Sequence, residues 1–126
     1  RGVFAFGQAS DMKAFAPKAH LAAIVDDWSG YYIKRVKDVM DGTWKSGAVW
    51  GGIKDGFVKL APYNDAVTPE ARKAADAVKE GIASGKLHPF TGELKDQKGE
   101  VRVKAGEHAS DEMLSKMDWY VDGIQA

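Results

Sequence analysis

The run Val3-Phe4-Ala5-Phe6, closed by Gly7, constrains this chain more than any other feature. Apolar residues with no polar alternation read as a short strand buried on both faces. Such a strand needs a neighbour on each side, and nothing upstream of Val3 supplies one. It is therefore either an edge strand or the start of a piece of something larger, and the second reading is the one preferred. The 126 residues make one domain's worth at most.

The rest of the chain alternates short apolar runs with helical patterns. His20 to Val25 reads as a second strand, and Asp26 and Asp27 then offer a helix N-cap. From Trp28 the pattern turns helical, with Tyr32, Ile33, Val36, Val39 and Met40 on one stripe and Gly42 as the stop. Ala48 to Ile53 and Phe57 to Ala61 predict two strands paired across the turn Asp55-Gly56. Thr68-Pro69-Glu70 opens a further helix whose inner face is Ala71, Ala74, Ala75, Val78 and Ile82, ending at Gly85. Leu87 to Leu94 and Glu100 to Val103 flank the hairpin signature Asp96-Gln97-Lys98-Gly99, and Ser110 caps a last helix through Met117. The order β, β, α, β, β, α, β, β, α points to an α/β sheet, with too few helices to cover both faces of a complete one.

Composition narrows the function classes. The hydrophobic share of 44% and charged share of 29% are those of a globular chain, not of a disordered tail. Eighteen basic residues balance eighteen acidic ones, so the basic excess of a nucleic-acid binder is missing. With no cysteine, a disulfide scaffold, a thiolate zinc site and a cysteine nucleophile are excluded. His20, His88 and His108 have no paired spacing, which argues against a metal site. No Gly-x-Ser-x-Gly turn occurs, and Gly51-Gly52-Ile53-Lys54-Asp55-Gly56 lacks the spacing of a phosphate loop. No metal or cofactor is expected, and although acidic residues are plentiful enough for two carboxylates to face each other as in a glycosidase, nothing in the sequence selects a catalytic pair.

Two places offer binding chemistry. Ser10 and Asp11 follow the first strand, and Asp26, Asp27 and Trp28 follow the second. In open α/β sheets ligands sit beyond the carboxyl ends of strands. A carboxylate beside an indole suits a flat nitrogenous ring, because the acid accepts ring N–H bonds and the aromatic face stacks. The plainer reading stays open at both places: turn chemistry at Asp11, and an N-cap with a packed Trp28 at the second.

Taken in order, Phe4-Ala-Phe-Gly-Gln-Ala-Ser-Asp-Met, Pro17-Lys-Ala-His-Leu, Asp41-Gly-Thr-Trp-Lys-Ser-Gly, Trp50-Gly-Gly-Ile-Lys-Asp-Gly and Ser110-Asp-Glu-Met-Leu resemble the basic membrane protein family of ABC-transporter substrate-binding proteins. That family includes the purine nucleoside receptor lipoproteins. The resemblance implies a type I periplasmic-binding-protein fold, two three-layer α/β lobes joined by crossover strands and closing on ligand in the cleft. Residues 1–126 would form a C-terminal segment of it: part of the C-terminal lobe, crossovers, and final elements returning to the N-terminal lobe. It further implies a small-molecule ligand, ABC-transporter permease subunits as partners and an extracytoplasmic or periplasmic location. No nucleic acid is implied, and the only membrane attachment would be a lipid anchor upstream of this segment.

Nucleoside-binding members often show Gly-Val-Asp-Ser-Asp-Gln at a strand end, where this chain has Gly7-Gln-Ala-Ser-Asp-Met. Asp11 matches the second acid and Ala9 replaces the first. Those members then show Leu-Thr-Ser followed closely by Lys, where Leu21-Ala-Ala-Ile-Val-Asp26 puts an acid. Lys donates to ribose hydroxyls, whereas Asp only accepts. The change favours a free purine base such as adenine over a nucleoside, held by Ser10, Asp11 and Asp26 with Trp28 as a stacking wall. Two other classes remain to be set against a receptor: a small α/β enzyme acting on nucleosides or sugars, and a ligand-sensing regulator built on the same fold.

Overall fold

The computed structural model describes residues 2–125. They form two compact units, Arg1–Ser84 and Gly85–Ala126, where the length suggests one domain at most. The first unit carries β1 (Ala5–Ala9), β2 (His20–Asp26), α1 (Ser29–Met40), β3 (Val58–Leu60) and α2 (Pro69–Ala83). The second carries β4 (Leu94–Lys95), β5 (Val101–Val103) and α3 (Asp111–Ser115).

In the first unit β2 is the middle strand of the order β1-β2-β3. It reads His-Leu-Ala-Ala-Ile-Val-Asp, and His20, Ala22 and Ala23 are its buried residues. β1 runs parallel to it, with Ala5 opposite His20 and Ala9 opposite Val25. β3 runs antiparallel, with Val58 opposite Asp26 and Leu60 opposite Ile24. The carboxyl ends of β1 and β2 thus share one rim of the sheet, and the amino end of β3 joins them there.

Local signals account for the helix ends. The Thr68 hydroxyl accepts the Ala71 N–H at 3.3 Å, and Pro69 sits in the first turn, where its missing N–H has no bond to lose. At the far end of α1 the chain turns through Gly42 at φ +66°, a conformation glycine adopts without a Cβ penalty. Asn64 ties the β3–α2 loop down: its N–H donates to the Leu21 carbonyl and its Nδ2 to that of Pro17.

Several expectations need correction. The first strand starts two residues later than Val3 and, among the described residues, pairs on one side only, with β2; Phe4 and Phe6 are 62% and 73% exposed in this segment. A strand with one neighbour leaves the N–H and C=O groups of its other edge unpaired. Ala48 to Ile53 forms no strand. Its end is a turn instead, in which the Gly52 carbonyl accepts the Phe57 N–H and the Asp55 carboxylate accepts the Gly52 N–H. The second half of the predicted hairpin, β3, pairs with β2 because that apolar edge offers a longer ladder than a Gly-Gly segment. The predicted inner faces of α1 and α2 contain no buried residue. Ala74, Ala75, Val78 and Ile82 instead line an open apolar groove of about 390 Å³ with Ile24 and Leu60.

In the second unit the strand predicted over Leu87 to Leu94 shrinks to Leu94–Lys95, preceded by isolated bridges at Thr91 and Gly92. Pro89 removes one donor from the expected ladder. The hairpin itself forms, with Gly99 at φ +81° and its N–H donating to the Asp96 carbonyl. Asp96 is buried, and its carboxylate accepts the N–H groups of Lys98 and Glu100 and the Arg102 guanidinium. Desolvation pushes that carboxyl up, but these donors outweigh it and hold it below the usual range.

Candidate functional site

The shared rim begins at Gly7. A Cβ built there would lie 2.7 Å from the Ser10 carbonyl oxygen and 2.8 Å from Ala23 Cβ, so only glycine lets the chain after β1 fold back onto the strand pair. Ala9 takes φ +64° to start that reversal, a costly conformation for a residue with a Cβ. Ser10 and Asp11 are therefore folded back, not projected outward from the strand end. Asp11 Oδ1 accepts the Lys13 N–H at 2.9 Å and faces His20 Nε2 at 3.5 Å.

The second strand end is arranged differently. Asp26 is the last residue of β2, exposed, and among the described residues its carboxylate has no hydrogen-bond or ion-pair partner. Asp27 takes the capping work: its Oδ1 accepts the Ser29 N–H at 2.9 Å, and its Oδ2 pairs with Lys59 from β3. The Lys59 bond, then those from Ser29, hold the Asp27 carboxyl far below its ordinary value. Trp28 packs its ring 5.0 Å from Phe57 and 5.8 Å edge-on from Tyr31, yet stays 45% exposed. The rim thus holds a free acceptor, a half-open indole with two aromatic neighbours, and one neutralised acid–base pair.

Of the four residues singled out in the sequence, Asp26 and Trp28 are adjacent on this rim. Asp11 turns toward His20 on β2, the Ser10 carbonyl lies over Gly7, and among the described residues no hydrogen bond or ion pair joins either residue to Asp26 or Trp28. Sequence reasoning overlooked Lys59, Phe57, Tyr31 and His20. The first two were hidden by assigning β3 to a local hairpin. His20 was weighed only for metal spacing, although its place at the head of an apolar run signals burial.

Mixed sheets with helices in this order form a partial α/β periplasmic-binding-protein fold. Comparison with known proteins carries it further. Residues 1–88 match the family described as ABC transporter substrate-binding protein, PnrA-like. A purine-binding protein of Brucella abortus (strain 2308) is 50% identical over 98% of this chain, which covers 35% of that protein. A Haloferax volcanii protein named for glucose binding in an ABC transporter is 26% identical over 98% of this chain and 29% of its own length. The chain thus spans about a third of the curated relatives it matches.

Among solved structures, a transcriptional activator of the comK gene from Bacillus halodurans aligns with a TM-score of 0.60 and 22% identity, covering 69% of this chain and 31% of that one. An ABC transporter solute-binding protein from Aeropyrum pernix K1 aligns with a TM-score of 0.50 and 17% identity, over 74% of this chain and 32% of that one. These likenesses speak to the fold. The chain belongs to the PnrA-like family of ABC transporter substrate-binding proteins.

Proposed function

We propose that this chain is a C-terminal segment of the extracytoplasmic receptor of an ABC importer, and that the receptor binds a purine base such as adenine between two lobes without chemistry. One observation carries the ligand class: half of the residues are identical to those of a protein named for purine binding, over nearly the whole chain. The rim supports it. Among the described residues Asp26 is an unengaged acceptor, suited to ring N–H and amino groups, and the exposed half of Trp28 offers a stacking face. Asp11 and Ser10 contribute from the folded-back loop. Binding energy closes the lobes by differential affinity for the closed state. The partners are the permease subunits of the importer, and a lipid anchor outside this segment holds the receptor at the membrane.

Titration calorimetry on the complete polypeptide tests this with adenine, adenosine and glucose as separate probes. Adenine is expected to bind most tightly, and Asp26→Ala to weaken it about thirtyfold, the loss of a charged hydrogen bond worth ~2 kcal/mol. Unchanged affinity in Asp26→Ala removes that residue from the site. Preferential binding of glucose overturns the purine reading. Chromatography of the bound fraction separates receptor from enzyme: a receptor returns its ligand intact, and conversion of adenosine to free base refutes binding without chemistry.

A further inference from the structure

In the first unit, the imidazole of His20 is a buried titratable group that the rim chemistry leaves unused. It is 4% exposed at the head of β2, and among the described residues its Nε2 has no hydrogen-bond partner within normal reach. A buried nitrogen in that state calls for a partner, because desolvation without a bond is costly. The group it faces is Asp11 Oδ1, 3.5 Å away, slightly too far for a full bond and within reach of a small rotation. The same oxygen already accepts the Lys13 N–H, while Oδ2 has no partner among the described residues and the side chain is 38% exposed. Gly7 makes the approach possible: a Cβ there would stand 3.1 Å from His20 Nε2, between the ring and the loop.

We infer that His20 is a positioning residue for the ligand site. Its Nε2–H donates to Asp11 Oδ1, fixes the plane of the carboxylate and leaves Oδ2 as the acceptor that meets the ligand. Lys13 and His20 then hold one oxygen from two sides, so the carboxylate cannot rotate its free oxygen away. The role rests on the reading of Asp11 as a ligand contact, and it acts through Asp11 with no contact of its own.

The test is a double-mutant cycle on adenine affinity in the complete polypeptide. Asp11→Ala is expected to weaken binding about tenfold, His20→Leu about fivefold, and His20→Gln, which keeps a donor near the Nε2 position, by less than about twofold. The double variant His20→Leu with Asp11→Ala should bind no more weakly than Asp11→Ala alone, because both changes remove one device. A ligand-free readout stands beside it: the ¹⁵N signals of the His20 ring should report an Nε2–H tautomer and move in Asp11→Asn. Additive losses in the cycle overturn the inference. Full affinity in His20→Leu with a loss in Asp11→Ala also overturns it, while leaving Asp11 in the site. Full affinity in Asp11→Ala takes both readings away together. Should His20→Leu not fold, ring signals that ignore Asp11→Asn refute the contact.

Discussion

Replacing Gly7 by alanine tests the packing on which the whole rim is built. The added Cβ would meet Ser10 O at 2.7 Å and Ala23 Cβ at 2.8 Å. Carbon pairs are most comfortable at ~3.5–4.0 Å, so the second contact alone is short by roughly 0.7 Å or more. Neither neighbour can rotate aside, because one is a backbone oxygen and the other a β-carbon on a paired strand. Overpacking of this kind costs ~1–3 kcal/mol, and the fixed neighbours put this case at the upper end, about 3 kcal/mol. With an m-value of ~2 kcal/mol/M, the urea midpoint of the transition containing this unit should fall by roughly 1.5 M. Gly30→Ala in α1 is the matched control. Among the described residues nothing lies within 4 Å of its would-be Cβ, and it should gain about 0.5 kcal/mol from reduced chain entropy. A Gly7→Ala midpoint indistinguishable from wild type would refute the close approach of the loop to β1.

Ala9→Gly should relieve the left-handed strain at φ +64°; set against the greater entropy of glycine in the unfolded chain, stability should rise by up to about 1 kcal/mol in thermal unfolding, and a clear loss would argue against that backbone conformation. Lys59→Met should flatten the acid limb of the stability curve. The Asp27 carboxyl is held below its ordinary 3.8, so its contribution is complete above about pH 4 and drains away as pH falls toward the lowered folded value. The wild type should therefore lose more stability than Lys59→Met over that interval, and more so at low salt, as followed by urea titration at stepped pH; parallel curves would show that the pair adds nothing.

Much of the frame was legible because it rests on local chemistry. Thr68-Pro69 marks a helix start, Gly42 and Gly99 mark positive φ, and the run from His20 marks the central strand; each acts through its immediate neighbours. What failed depended on which strand pairs with which. Val58 to Leu60 pairs equally well in principle with a segment just before it or with β2, and only the competing edge decides. That choice brought Lys59 and Phe57 to the rim, so the same error concealed part of the site. The fold-back of Asp11 was equally out of reach. It depends on the space above Gly7 and on an alanine in a conformation alanine rarely adopts. Asp26 and Trp28 could be picked out because a strand end followed by a helix start places them by chain order alone.

The antiparallel pairing of β3 has a consequence for how this segment tolerates change. Lys59 stands opposite Val25, and sliding β3 by a single residue would turn the lysine to the other face and strand Asp27 without its cation. The irregular, exposed stretch from Lys45 to Trp50 carries no ladder, so extra or missing residues can be absorbed there as slack. The tight turn from Ile53 to Phe57 has no such reserve, which makes it the pacing element that keeps the cation in step with the acid.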